Sequence, residues 1–222
     1  MRPRILLFLL PILLAACSGS GAEQVPTSQL PSPARYALTM TDLPDVGVPW
    51  QQSYSQTSSD KGYKWTYQAY QAIQPAEVEN QLDSVYAINN DVILYEVDMS
   101  REDLPAPPVS LGSIQGVEWK PATQLHQVGD KSAVWKTTLG DLLTPVWWLE
   151  FYQGHAYVRL SMFGFPDQIA PTLIYDLADI VAARLPANLE ELKQDASGGP
   201  VAPPAGSVTP SSVVLPTASA TP

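Results

Sequence analysis

The sequence predicts a single α+β domain in which a mainly antiparallel sheet ends in a strong late hairpin, followed by a C-terminal helix packed on it. Two stretches rich in apolar residues, 145–152 and 155–163, flank Gln153-Gly154, a pair typical of a tight hairpin turn. The stretch 169–185 then places apolar residues at helical spacing. Strands followed by one terminal helix favour a sheet that the helix covers.

The aromatic residues mark the limits of the folded domain. Of 6 Trp, 10 Tyr and 4 Phe, all except Phe8 lie within residues 36–194, which we predict to form the domain. Residues 17–35 are rich in Gly, Ser, Pro and Gln, a composition typical of a flexible linker. Residues 195–222 are rich in Pro, Ala, Ser and Thr and predict a disordered tail, because they cannot bury enough apolar surface to offset their ordering entropy.

Four elements are predicted ahead of the hairpin. Residues 62–73 alternate aromatic and polar side chains with the period of a strand. A helix is expected from Pro75 to Asn89-Asn90, because Val, Leu and Val follow at helical spacing and Asn can end a helix in the left-handed conformation. Residues 91–98 and 132–138 then indicate two strands.

A two-residue turn at Gln153-Gly154 sets the predicted register of the hairpin. One face of the hairpin is then apolar and is expected to face the core. The other face holds aromatic and polar residues in three opposed pairs: Trp148 with Arg159, Glu150 with Tyr157, and Tyr152 with His155.

The final apolar stretch predicts the helix 169–185. Pro171 falls in its first turn, where proline is tolerated, and Pro186 ends it. Asn188, with Glu191 three residues later, indicates the cap of a last short helical turn.

The first 17 residues resemble the signal peptide of bacterial lipoproteins. Two Arg precede an apolar stretch that is too short to span a membrane, and Leu14-Ala15-Ala16-Cys17 resembles the lipobox. The resemblance implies removal of the signal peptide 1–16, a diacylglycerol on the Cys17 thiol, and a protein held on the extracytoplasmic side of the membrane. Because Ser18 follows the Cys, the family's sorting rule favours the outer membrane in a double-membraned bacterium. The alternative is an ordinary secretory peptide with an incidental Cys.

Charge and composition exclude several classes of function. With 22 acidic and 12 basic side chains the net charge is −10, which argues against nucleic acid as a partner, since binding phosphates needs a basic patch. A single Cys excludes a disulfide framework and a Cys-based zinc site. The histidines are His126 and His155 alone, and no Gly-x-Ser-x-Gly motif occurs, so a nucleophilic triad is not indicated. We therefore predict no metal, no cofactor and no enzymatic activity.

Paired carboxylates are the remaining enzymatic option, as in glycoside hydrolysis. Glu96 and Asp98 would lie on one face of a predicted strand, about 7 Å apart, and Glu150 lies beside aromatic residues. The simpler interpretation is that Glu96 and Asp98 occupy a solvated strand end. Glu150 would then pair with Arg159 across the hairpin.

The polar face of the hairpin is the most promising binding surface. Aromatic side chains with a few charges are typical of surfaces that bind carbohydrate, peptide or protein, because rings give a large contact area at low entropy cost. The alternative is that a second layer, such as residues 36–60 with Trp50 and Tyr54, covers this face. The candidate binding residues are Trp148, Glu150, Tyr152, His155, Tyr157 and Arg159.

Three short motifs precede the terminal helix: Asp42-Leu43-Pro44, Gly129-Asp130-Lys131-Ser132-Ala133 and Phe151-Tyr152-Gln153-Gly154. Their order is similar to that in small extracytoplasmic lipoprotein ectodomains without known activity. In outline the domain is also similar to the α/β/α sandwich of photosystem extrinsic subunits. Neither resemblance implies a catalytic residue.

These observations lead us to expect a lipid-anchored, non-catalytic binding or accessory domain of the bacterial cell envelope. Its partners would be the membrane, through the lipid on Cys17, and an envelope protein or glycan. The alternatives are a carboxylate-dependent envelope hydrolase and a structural subunit of a membrane complex.

Overall fold

The computed structural model describes residues 25–73, 85–108, 110–111, 114–140 and 144–197. Three short 3-10 helices, Thr27–Gln29, Pro33–Arg35 and Met40–Asp42, precede the first strand. The remaining elements are β1 Gln51–Asp60, β2 Tyr63–Ile73, β3 Val85–Tyr95, β4 Ser110–Leu111, β5 Ile114–Gln115, β6 Lys120–Pro121, β7 Lys131–Leu139, β8 Thr144–Gln153, β9 Ala156–Phe163, α1 Ala170–Arg184 and α2 Leu189–Ala196.

Seven of these strands form an antiparallel sheet in the order β1-β2-β3-β9-β8-β7-β6, while β4 and β5 pair with each other. Because β3 lies beside β9, the sheet joins the early strands to the late hairpin. The predicted α+β class, with an antiparallel sheet and a C-terminal helix packed on it, is confirmed. The predicted strands at 62–73 and 132–138 are confirmed as β2 and β7.

The helical layer packs on one face of the sheet. The apolar stripe of α1 is buried at Leu173, Leu177 and Val181, and Pro171 lies in its first turn, as predicted. Leu192 of α2 lies beside Leu94 and Ala156, which belong to the same face. Among the described residues there is thus one helical layer, where the α/β/α resemblance implied two. None of the helices in the described ranges is long and apolar enough to cross a membrane.

The start of α2 shows the predicted cap. Asn188 Oδ1 accepts a hydrogen bond from the Glu191 backbone N–H at 3.0 Å, and Glu191 Oε2 accepts one from the Ala187 backbone N–H at 2.8 Å. Because both side chains accept from backbone donors that a helix start leaves unpaired, this short sequence pattern is enough to begin α2.

The hairpin has a different register from the predicted one. The turn is Gly154-His155, with Gly154 at φ 52°, and Gln153 pairs with Ala156. Each predicted pair is therefore wrong by two residues, because the residue of positive φ stands first in the turn and not second. A shift of two residues preserves the faces of both strands. The observed pairs are Trp148 with Ser161, Glu150 with Arg159, and Tyr152 with Tyr157.

The predicted helix ending at Asn89-Asn90 is wrong where the structure describes it, because Val85–Tyr95 is a strand; residues 74–84 lie outside the described residues. Of the strand predicted at 91–98, residues 91–95 form the second half of this longer strand, and residues 96–98 lie beyond its end. Asn90 is fully buried on the core face, and its Oδ1 accepts a hydrogen bond from the Leu38 backbone N–H at 2.8 Å. Satisfying that amide lets the period of two continue through the Asn pair. The side chains buried on the core face of β3 are Tyr86, Ile88, Asn90, Val92 and Leu94.

Residues 25–35 belong to the fold, which corrects this part of the predicted linker 17–35. Val25 and Leu30 are 0% and 2% exposed and lie in the main core. The Val25 backbone N–H donates to the Glu96 carbonyl at 2.9 Å, just beyond the end of β3. Two apolar residues among Pro, Ser and Gln are too few to be noticed as a pattern, although they are enough to fix the segment on the sheet.

The domain also extends past the predicted boundary at residue 194. Asp195 Oδ2 accepts a hydrogen bond from the Tyr36 hydroxyl at 2.5 Å, and Asp195 Oδ1 lies 3.4 Å from the Arg35 guanidinium. Asp195 therefore ties the end of α2 to the N-terminal segment. Burial, together with the nearby Asp195, raises the pKa of Tyr36 well above its usual range. The predicted tail beyond residue 197 lies outside the described residues.

A buried ion pair joins the same two parts of the chain. Arg184, at the end of α1, donates to both carboxylate oxygens of Asp42, at 2.8 and 2.5 Å, and to the Ala37 carbonyl at 2.9 Å. The Thr39 backbone N–H and hydroxyl also donate to Asp42, at 2.6 and 2.8 Å. Asp42 is 8% exposed, so every donor around it stabilises its charge in a poorly solvated site.

Candidate binding face

The face of the sheet opposite α1, here called the open face, gathers aromatic and polar side chains from six strands. The strand registers identify the residues of this face, because successive residues of a strand point to opposite faces and directly paired residues share a face. The open face carries Tyr54, Gln56, Ser58 and Asp60 on β1; Tyr63, Trp65 and Tyr67 on β2; Asn89, Asp91, Ile93 and Tyr95 on β3; Tyr157, Arg159 and Ser161 on β9; Trp148, Glu150 and Tyr152 on β8; and Lys131 and Trp135 on β7.

Arg159 forms the centre of this face. Its guanidinium lies 3.1 Å from Asp91 Oδ1, which pairs the central charges of β9 and β3. It also lies over the rings of Trp148 and Tyr157, at 5.9 and 5.8 Å from their centroids. Burial raises the pKa of Asp91, and the neighbouring Arg159 opposes that shift. The ion pair predicted between Glu150 and Arg159 is replaced by the pair with Asp91, although Glu150 lies directly opposite Arg159.

Glu150 is a buried carboxylate held by neutral donors. It is 1% exposed, and its Oε2 accepts hydrogen bonds from the Tyr157 hydroxyl at 2.7 Å and from Trp148 Nε1 at 3.2 Å. Within the described part of the chain its Oε1 makes no hydrogen bond. Burial raises the pKa of Glu150 despite these donors and the nearby Arg159, and burial beside Glu150 raises that of Tyr157.

The half of the open face formed by β8 and β9 is covered. The Trp119 ring packs on Trp148 with centroids 5.7 Å apart, and Trp119 Nε1 donates to the Pro108 carbonyl at 2.6 Å. Trp119, which directly precedes β6, therefore covers Trp148, whereas Trp50, expected to cover this face, stacks on Phe165 on the core side. Tyr54, the other residue expected to cover this face, lies on β1 within the sheet itself.

The structure brings five of the six predicted binding residues together, all but His155, and leaves five of the six inaccessible, all but Arg159. Trp148, Glu150, Tyr152 and Tyr157 are each less than 9% exposed, and Arg159 is half-buried. His155 lies in the turn, where its Nδ1 is 3.1 Å from the Tyr95 carbonyl. The predicted site is thus the buried base of the open face and not its contact surface.

The half formed by β1, β2 and β3 is accessible. Tyr63, Trp65 and Tyr67 follow one another along β2 and are half-buried, and Tyr54 on β1 is 51% exposed. The rings of Tyr54 and Tyr67 lie 5.9 Å apart, and those of Tyr63 and Tyr95 lie 6.1 Å apart. We call Tyr54, Tyr67, Trp65 and Tyr63 the aromatic strip. The alternation in residues 62–73 already contained this signal, but it indicated only a strand.

The other candidate carboxylates have local structural partners. Glu96 Oε1 accepts a hydrogen bond from the Thr27 backbone N–H at 2.5 Å, and Asp98 Oδ1 accepts one from the Ser100 backbone N–H at 2.8 Å. Both residues follow the end of β3 at Tyr95, so they do not share the face of a strand. No group of three or more His, Cys, Asp or Glu residues that could hold a metal ion occurs in the described ranges.

Comparison of the chain with protein-family models, with curated proteins and with solved structures gives no match. The candidate site therefore depends on its geometry alone.

The raised pKa of Glu150 predicts a pH effect of Glu150→Gln. A carboxyl whose pKa is raised by folding binds more protons in the folded than in the unfolded state, so its contribution to stability falls as the pH rises above about 4.3, its unfolded value. Gln keeps an oxygen for Tyr157 and Trp148 but carries no charge. We expect the free energy of unfolding of Glu150→Gln, relative to the original chain, to increase from pH 4 to pH 8 in urea titrations. An unchanged difference over this range would contradict the raised pKa.

Proposed function

We propose that the protein is a lipid-anchored, extracytoplasmic binding module of the bacterial cell envelope, and that the accessible half of its open face contacts the partner. The observation that carries the proposal is the aromatic strip, a row of four rings on a sheet face that lies opposite the helical layer. Aromatic rings held on a rigid sheet give contact area at low entropy cost, which suits binding.

The membrane anchor is supported by the N-terminal sequence. Leu14-Ala15-Ala16-Cys17 follows a charged and then apolar segment, and Cys17 is the single Cys of the chain. The described domain begins eight residues further on with Val25, so an anchor at Cys17 would join directly to a folded domain. The extracytoplasmic location follows from the same motif.

The hydrolase alternative is less well supported by the geometry. Glu150 lies beneath Trp148 and Tyr157, while Glu96 and Asp98 are held by backbone donors after the end of β3. A glycosidase needs two accessible carboxyl groups on either side of a bound sugar. A structural subunit of a membrane complex would use the same open face, with a protein as its occupant.

Binding is tested by sedimentation of the chain from Ser18 onward, which retains every described core residue, with the cell-envelope fraction of the producing bacterium. We expect the double variant Tyr54→Ala and Tyr67→Ala to lower the bound fraction several-fold. Leu125→Ala serves as the control, because Leu125 is 53% exposed and lies away from the open face. Equal binding by the original chain, the double variant and Leu125→Ala would exclude the open face as the contact surface.

Lipidation is tested by labelling cells with a palmitate analogue. Cys17→Ser removes the thiol that would carry the lipid, so we expect no label on this variant and its release from the membrane fraction. Labelling that persists in Cys17→Ser would show that the chain is not acylated at this residue.

A further inference from the structure

We infer that the aromatic strip binds an uncharged polysaccharide chain that lies along β2. This inference rests on the proposed binding function and names the ligand class of the same surface. It follows from three properties of the accessible half of the open face: the line of its rings, the chemistry of the neighbouring strand, and its charge.

The rings form a line that suits an extended polymer. Tyr63, Trp65 and Tyr67 are alternate residues of one strand, so their side chains repeat at about 6.6 Å and cover about 13 Å. Tyr54 extends the line from β1, with its ring 5.9 Å from that of Tyr67. Sugar rings present C–H groups on their faces, which pack against the negative face of an aromatic ring. A row of rings can therefore contact successive sugar units of one chain.

The neighbouring strand supplies uncharged hydrogen-bonding side chains along most of its length, and its last residue, Asp60, lies opposite Tyr63. From residue 51 to residue 59, β1 consists of Gln, Ser, Thr and one Tyr, and almost all of these residues are exposed. Gln56 lies directly opposite Tyr67, and Ser58 lies opposite Trp65. Amide and hydroxyl groups beside rings are able to pair with sugar hydroxyls, which would otherwise lose hydrogen bonds to water on binding.

The charge of the surface favours a neutral ligand. The ionised groups in the middle of the open face, Asp91 and Arg159, neutralise each other at 3.1 Å. The whole chain carries a net charge of −10, which repels anionic polymers. A polyanionic glycan would need a basic patch, and the strip residues of β1 and β2 are all neutral.

The proposal is tested by calorimetric titration of the chain from Ser18 onward with cellohexaose and chitohexaose, and by sedimentation with cellulose, chitin and protease-treated envelope glycan. We expect binding to at least one of these probes. Tyr54→Leu should weaken the affinity about 2- to 10-fold, since it keeps apolar area but removes the ring, and Tyr54→Phe should retain it. Tyr54 is 51% exposed, so both variants are expected to fold, and Leu125→Ala is again the control.

The outcomes separate the ligand class from the proposed function. No binding to any of these glycans, together with protease-sensitive binding to untreated envelope through Tyr54 and Tyr67, would overturn the polysaccharide and leave a protein partner for the open face. Tighter binding to alginate, an anionic polysaccharide, than to chitohexaose would overturn the neutral class. Equal weakening by Tyr54→Leu and Tyr54→Phe would overturn the role of the ring. If neither the glycans nor the untreated envelope bind through the open face, both the polysaccharide and the proposed binding function are overturned.

Discussion

Replacement of Trp148 by alanine is expected to lower the free energy of unfolding by about 3–5 kcal/mol, the range found for buried aromatic residues. Trp148 is 8% exposed beneath Trp119, and Arg159 lies over its ring. The substitution also removes the indole N–H that donates to the buried Glu150 carboxylate. Two effects therefore combine. The substitution leaves a cavity beneath Trp119, and it removes one of the hydrogen-bond donors of the buried Glu150 carboxylate.

Urea denaturation of the chain from Ser18 onward measures this effect. Tyr54→Ala provides the matched control on the accessible half of the same face, and we expect its stability to change by about 0.5 kcal/mol or less. A loss of less than about 1 kcal/mol for Trp148→Ala would show that Trp119 does not cover the indole in solution. The covered half of the open face would then return as a candidate contact surface.

Replacement of Arg184 by methionine is expected to cost about 3–5 kcal/mol, because it leaves the Asp42 carboxylate buried without its cation. The variant retains much of the apolar stem of the Arg side chain, so the loss reports mainly the ion pair. Burial alone would raise the pKa of Asp42, but the hydrogen bonds from Arg184 and Thr39 outweigh it and hold the pKa below its usual value. The contribution of Asp42 to stability is thus present at neutral pH and is lost as the pH falls through its folded-state pKa.

The pH dependence and a double variant test this account. The stability difference between Arg184→Met and the original chain should shrink when urea titrations are repeated from neutral pH to about pH 3. Arg184→Met combined with Asp42→Leu should recover most of the loss, because an apolar pair of similar volume avoids the buried charge. If the double variant is less stable than Arg184→Met alone, Asp42 stabilises the N-terminal segment through Thr39 and not through the ion pair.

The elements that were predicted correctly are those whose signal is local. The apolar stripe of α1 ends at a proline, and Asn188 with Glu191 forms a cap within four residues, so neither requires knowledge of distant contacts. The alternation of β2 likewise needs only its own sequence. The helix and the two strands of the hairpin were placed correctly, although the register of the hairpin was not, and the α+β class followed from these elements.

The elements that were missed depend on partners far along the chain. Asn90 continues a buried strand because the Leu38 backbone satisfies its amide, and no local pattern announces that donor. Val25 enters the core from a segment of linker composition, and Arg184 reaches Asp42 across 142 positions of sequence. For the candidate site, the face was correctly predicted for five of the six residues, with His155 lying in the turn, but their accessibility was not. The accessibility of Trp148 depends on its contact with Trp119, which lies outside the predicted elements.

The hydrogen bond between Val25 and Glu96 would limit how far the domain stands from the proposed lipid on Cys17. Seven residues, 18–24, lie between Cys17 and Val25, so the two Cα atoms are at most about 29 Å apart. This hydrogen bond lies at the end of the sheet where the Glu96 backbone N–H donates to the Gly62 carbonyl. Gly62 directly precedes Tyr63. The aromatic strip therefore begins with Tyr63 at this end of the sheet and extends away from it. The proposed anchor would therefore keep the domain in the layer next to the bilayer, and the proposed polysaccharide would have to reach this layer.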